Sequence, residues 1–184
     1  MKKIIIICGL IAGLIVTSTM IFTMTGIIKN RYFEGGMVLG YSTMLVAFSL
    51  IFVGIKNYRD KHNAGIISFG KALKIGLMIT LVASTIYVLV WMIDYYYFIP
   101  DFFEKYSAHI VGKMRTSGAS QVEIQKQIAD IQGYVKMYKN PFFNAMFTYI
   151  EILPVGIIVS IVAALILKRK NNADNRVTAN PVSL

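Results

Sequence analysis

Glu151 is the residue whose type and place most demand a chemical reason. It interrupts an otherwise uncharged run, 141–167, and Pro154 follows three residues later. An acid inside an apolar span is costly unless it is paired, protonated or hydrated. Pro154 has no N–H to give to Ile150, which leaves that carbonyl free beside the carboxylate. Such a pair can coordinate a cation or relay a proton. It can equally mark a kink held by an ion pair with Lys29 or Arg31, which belong to the same outer face, or a contact point for a partner. Counted back from Lys168, Glu151 lies roughly 25 Å along a helix, in the outer half of a membrane rather than at its centre.

Other chemistry is harder to build. Asp94, Asp101 and Glu104 share the outer face with Glu151, and a carboxylate cluster for a divalent ion is conceivable there, but no spacing fixes their mutual distances. His62 stands alone in a basic loop, with His109 across the membrane, so no metal site is expected. Cys8 is the single cysteine, which excludes a disulfide scaffold and a multi-cysteine metal site. The chain has no HExxH, GxSxG, P-loop or CxxC motif. The expectation is therefore no enzyme and no cofactor.

The elements that must hold Glu151 are visible in the composition. Of 184 residues, 56% are hydrophobic and only 15% charged. A soluble domain carries about 25% charged residues to cover its surface, so a soluble globule and a disordered chain are both excluded. Charge-free runs cover 4–28, 35–55, 75–93 and 141–167, the last broken only by Glu151. A bilayer core needs roughly 20 apolar residues in a helix. The fold expected is all-α, a four-helix membrane bundle within a single domain, 1–170, followed by a disordered tail, 171–184. The first run is too long for the apolar part of a cleaved signal peptide and lacks a clear cleavage site, so it reads as a retained anchor.

The net charge of +10 first suggests nucleic acid. Its distribution says otherwise. Eleven of the 19 basic residues fall in the N-terminus, the second loop (Lys56 to Lys74) and the tail, against only Asp60 and Asp174. The first and third loops mix both signs. Basic residues beside span ends mark the cytoplasmic side, which puts both termini inside, in the inner membrane of a bacterium. Nucleic-acid binding would need basic residues interleaved with aromatics on one surface, so no nucleic-acid partner is expected. The lipid bilayer is the expected partner.

Between the third and fourth spans lies the only sizeable extramembrane part, 101–139. It opens after Tyr95-Tyr96-Tyr97-Phe98, which reads as an aromatic belt at the membrane interface. Phe102, Phe103, Tyr106, Ile110 and Met114 recur at helical spacing, and Thr116-Ser117-Gly118 reads as a break. Ser120 and Glu123 form a capping box before a second stripe of Ile124, Ile128, Ile131, Val135 and Tyr138. These helices can pack as an external hairpin, lie on the outer interface, or dock a membrane or periplasmic protein; periodicity does not separate the three. Gly70 and Gly76 are six apart and do not share a close-packing face. No internal repeat is convincing, which lowers the expectation of a transporter built from inverted halves.

Several strings carry a resemblance. Gly40-Tyr41-Ser42-Thr43-Met44, the run from Ile51 to Asp60, Ile67-Ser68-Phe69-Gly70-Lys71-Ala72-Leu73-Lys74 and Glu151-Ile152-Leu153-Pro154-Val155-Gly156 are similar to segments of a bacterial membrane family, domain of unknown function 4199. The resemblance spans residues 1 to 170 in order. It implies a four-span integral protein, mostly from Bacteroidetes, with no established activity and no role for Glu151 or Pro154. The function expected first is a non-enzymatic structural or interaction component of the membrane; the alternative is a small ion or solute conduit, or a transporter subunit, that uses Glu151 and Pro154.

Overall fold

The computed structural model describes residues 1–28 and 36–169, and these are helical almost throughout. The order is α1 (Lys2–Ile28), α2 (Gly36–Phe48), α3 (Leu50–His62), α4 (Phe69–Ile93), a π-helical turn (Asp94–Phe98), α5 (Phe102–Thr116), α6 (Gln121–Tyr138) and α7 (Pro141–Leu167). No strand occurs among the described residues. Four segments are long and apolar enough to cross a membrane: Lys2–Gly26, Val38–His62, Phe69–Phe98 and Pro141–Leu167. Hydrocarbon offers the backbone no hydrogen-bond partner, which is why such segments close their bonds internally as helices. Large apolar side chains point outward on all four, among them Leu14, Val46, Leu89 and Ile158, each more than half exposed.

The element ends differ from the charge-free runs. Lys56 to Lys74 is not one loop: α3 continues to His62 and α4 begins at Phe69. Charge marks where a helix leaves hydrocarbon, not where it stops, because Lys and Arg stems reach outward from a continuing helix. The second span is also interrupted. At Ser49 the backbone N–H is shared between the carbonyls of Leu45 and Val46, and the hydroxyl donates to Val46 O at 2.6 Å. This separates α2 from α3 within one crossing. Lys29 and Arg31, expected as partners of Glu151, and the tail 171–184 lie outside the described residues.

Helix α4 is the centre of the bundle, with α1 and α7 packed along it and α2–α3 touching all three. In lipid, close helix contact depends on small residues rather than on hydrophobic attraction. Gly9 and Gly13 of α1 lie under Val82 and Ile86 of α4, and Gly54 of α3 lies under Ile79. The α4–α7 seam is reciprocal. Gly76 receives the side chain of Ser160, Gly156 receives that of Thr80, and the two hydroxyls are 3.2 Å apart. Phe48, Ile51, Ile79 and Ile152 fill the core around this seam, all fully buried.

The basic residues of α3 and those that follow α7 meet at one end. Ile67 and Arg169 exchange two backbone hydrogen bonds of 3.0 and 2.9 Å, and Arg59 Nη1 donates to Leu167 O at 3.3 Å. At the other end stand α5 and α6, joined by a turn in which Gly118 takes φ +80°, a conformation that favours glycine. The capping box is made: Glu123 N–H donates to Ser120 Oγ at 3.3 Å, and Ser120 N–H to Glu123 Oε2 at 2.8 Å. That backbone donor, with the Ser120 hydroxyl, holds the Glu123 carboxyl below its ordinary range.

The aromatic run after α4 is only half a belt. Tyr97 and Phe98 are exposed, 80% and 69%, as an interface belt requires. Tyr95 is buried, and Tyr96 OH donates to Tyr138 O at 3.0 Å. The π-helical turn, closed by Ile99 N–H to Asp94 O at 2.8 Å, inserts an extra residue and sends the two pairs in different directions.

Candidate functional site

The sequence directs attention to Glu151, and the fold gives it a cavity. Helix α7 starts sharply, with Asn140 Oδ1 accepting from Phe142 N–H at 2.9 Å and Pro141 in the first turn. It then runs unbroken through Pro154 to Leu167. Glu151 projects from it into a space of about 390 Å³ between the spans. Helix α1 contributes Val16, Thr19, Met20, Thr23 and Met24; α2 contributes Gly36, Gly40, Tyr41, Thr43 and Met44; α4 contributes Tyr87. Phe102 and Tyr106 of α5 complete the lining.

The roof is fixed by ring packing. Phe102 lies edge-on to Trp91 at 5.4 Å and stacks with Tyr106 at 6.1 Å. Trp91 is anchored in turn, its Nε1 donating to Asn144 Oδ1 at 3.0 Å across α4 and α7. Phe103 packs on Tyr138 at 4.9 Å, which ties α5 to the end of α6. Burial, and then the nearby Glu151 carboxylate, push the Tyr138 phenol above its ordinary value.

Glu151 is the sole charged side chain among the described lining residues, and it makes no hydrogen bond or ion pair among the described residues. The threonine hydroxyls around it have spent their protons. Thr23 donates to Thr19 O at 2.8 Å, Thr43 to Leu39 O at 2.8 Å and Thr19 to Ile15 O at 3.3 Å. The lining then offers oxygen lone pairs, aromatic residues and methionines, so the arrangement favours a positively charged or hydrogen-bond-donating guest. Among the described residues there is no cluster of three His, Cys, Asp or Glu side chains able to hold a metal.

A family model described as "Protein of unknown function (DUF4199)" matches residues 6–169. The chain belongs to that family. No curated protein and no solved structure matches it. The matched residues take in the α5–α6 insertion and the four apolar spans except the first residues of α1, so the cavity lies wholly within the family's extent. Two of the strings that carried the resemblance in sequence, 40–44 and 151–156, meet at it.

The other residues singled out in sequence sit elsewhere. Pro154 is exposed on α7 and does not line the cavity, so it is not paired with Glu151 in one site. Asp94 caps α4 within the π-helical turn, also off the cavity, with its Oδ2 buried and unpartnered among the described residues. Asp101 pairs with Lys105 at 2.8 Å on the surface. The residues that sequence reasoning missed are Thr19, Thr23, Tyr41, Tyr87 and Tyr106. Thr19 and Thr23 carried a signal, since polar residues four apart in an apolar span share one face.

Proposed function

We propose that this chain is a multi-pass protein of a bacterial inner membrane, with its basic end in the cytoplasm, and that it binds a small solute in the Glu151 cavity as a conduit or transporter subunit. No covalent chemistry is involved. One observation carries the reading: a carboxylate inside a span, without a partner among the described residues, opening on a lined space between the helices. An acid retained there without a structural partner is accounted for by a guest. The basic residues gathered where α3, the 63–68 loop and α7 meet support the orientation.

The competing reading is a structural component that docks a protein through 101–139. It has less support, because Ile124 and Ile131 of the α6 stripe are buried against the chain itself and Phe102 roofs the cavity. The test is flux in proteoliposomes. Glu151→Gln is expected to abolish cation-dependent solute movement while leaving expression and melting temperature unchanged. Full flux in that variant would remove Glu151 from the function.

A further inference from the structure

We infer that the Glu151 cavity takes an organic ammonium ion with an apolar body, rather than a metal ion, an anion or a neutral solute. This rests on the cavity being a solute site, and adds the chemical class of the guest.

The argument begins with charge. Among the described lining residues there is one carboxylate and no cation, so an anion would meet repulsion and find no pair. A divalent metal demands six or more oxygen ligands for calcium, or near-ideal octahedral geometry for magnesium. Here a single carboxylate faces threonine oxygens from α1 and α2, and the space is far larger than an ion. Its volume of about 390 Å³ falls instead in the range of pockets that hold small organic molecules, about 300–1,000 Å³.

The rest of the lining suits an apolar body carrying positive charge. Tyr41, Tyr87 and Tyr106 come from three different helices and line one space. A ring face attracts a cation through its quadrupole, most strongly where water is thin. Met20, Met24 and Met44 add soft thioether surface that accommodates varied shapes. Threonine oxygens whose protons are committed to their own helices can accept from an N–H but cannot donate. A neutral hydroxyl compound can donate to the carboxylate but leaves its charge uncompensated and gains nothing from the ring quadrupoles; a primary or quaternary ammonium uses both the carboxylate and the rings.

Gly40 supplies a control. It lines the cavity, and a Cβ built on it meets no atom within 4 Å, so a larger side chain can start there without a clash at its root and take up cavity space. The experiment uses the full chain in lipid nanodiscs. Binding of benzyltrimethylammonium is measured by equilibrium dialysis beside neopentylbenzene, its uncharged isostere. The wild type is expected to hold the cation at least tenfold more tightly than the isostere. Glu151→Gln should remove that preference by weakening the cation alone, and Gly40→Leu should weaken both compounds with an unchanged melting temperature. The comparison in the wild type needs no variant, so a misfolded Glu151→Gln leaves the inference testable.

Equal binding of the two compounds, both lost in Gly40→Leu, would overturn the ammonium class while leaving the cavity a solute site. That is also the outcome expected if Lys29 or Arg31 neutralises Glu151. Binding of neither compound would overturn the inference too, and the flux assay alone would then judge the conduit reading.

Discussion

Replacing Gly156 with alanine tests how α4 and α7 meet, and through them how Glu151 is held. A Cβ at position 156 would stand 2.2 Å from Thr80 Cγ2, 2.8 Å from Thr80 Oγ1 and 3.0 Å from Phe48 Cζ. Carbon contacts are comfortable at about 3.5–4.0 Å, so something must yield by roughly 1.3 Å or more. If Thr80 turns away, it abandons the 3.2 Å hydrogen bond to Ser160. If α7 moves out, it gives up packing around Ile152. Overpacking costs about 1–3 kcal/mol, and the interhelical hydrogen bond is worth about 0.6 kcal/mol in a membrane. Exchanging glycine for alanine returns up to about 1 kcal/mol of helix propensity. The expected net destabilisation is about 1–2.5 kcal/mol, read from reversible unfolding of the full chain in bicelles. A second variant decides the cause. Thr80→Ala removes both of the nearest atoms, so Gly156→Ala in that background should cost about 1 kcal/mol less than in the wild type. If the two substitutions instead add within about 0.5 kcal/mol, Thr80 is not what Gly156 accommodates and the seam has been misread.

Three further outcomes are expected. Asn144→Leu leaves the buried Trp91 N–H without its acceptor and should destabilise by about 1 kcal/mol, the low end of the range because the Asn144 Nδ2 is itself unpartnered among the described residues. Trp91 is the sole tryptophan, so its emission should shift to shorter wavelength in the same variant. The depressed Glu123 carboxyl contributes stability that is complete above the ordinary glutamate value of about 4.3 and is lost as pH falls through its lower folded value. The protection factor for amide exchange at the start of α6, taken against the intrinsic rate at each pH, should therefore fall on acidification below about pH 4, and in Ser120→Ala it should already be low at neutral pH. With Cys8→Ser as background, a cysteine placed by Ser117→Cys should react with an impermeant maleimide from outside intact cells, whereas one placed by Lys61→Cys should react only after permeabilisation; the reverse pattern would invert the orientation.

What the sequence disclosed and what it hid follow from the range of the interactions. The four spans were legible because hydrocarbon excludes charge from some 20 residues at a time, a demand each segment meets alone. The Ser120–Glu123 box was legible for a similar reason, since its partners are three residues apart. The limits of the second loop were misjudged because Lys56, Lys71 and Lys74 sit on helices while their charges sit in water. Glu151 could be flagged from its own position, but not its surroundings: Thr19, Tyr41 and Tyr87 belong to three other helices and converge only through packing. The seam was hidden by looking for glycine against glycine. Gly76 and Thr80 on α4 face Ser160 and Gly156 on α7, so each small site is matched by a hydroxyl residue rather than by its like.

The same packing explains why a cavity exists at Glu151. Toward the basic end and the middle of the bundle, Gly9, Gly13, Gly54, Gly76 and Gly156 let α1, α3 and α7 press onto α4. Beyond that zone the residues on the facing surfaces change size. Met20 and Met24 on α1, Tyr41 and Met44 on α2, and Tyr87 on α4 hold the helices apart, while Gly36 and Gly40 on α2 leave the gap unfilled. Helices α1 and α7 flank α4 without a packed seam of their own, so among the described residues the space between them is closed by α2 and the roof from α5. A void lined only by apolar atoms would be a loss of contacts with no return. Threonine oxygens, phenols and a carboxylate without a partner among the described residues line this one, so polar groups stand where the proposed guest would meet them, at some expense to stability.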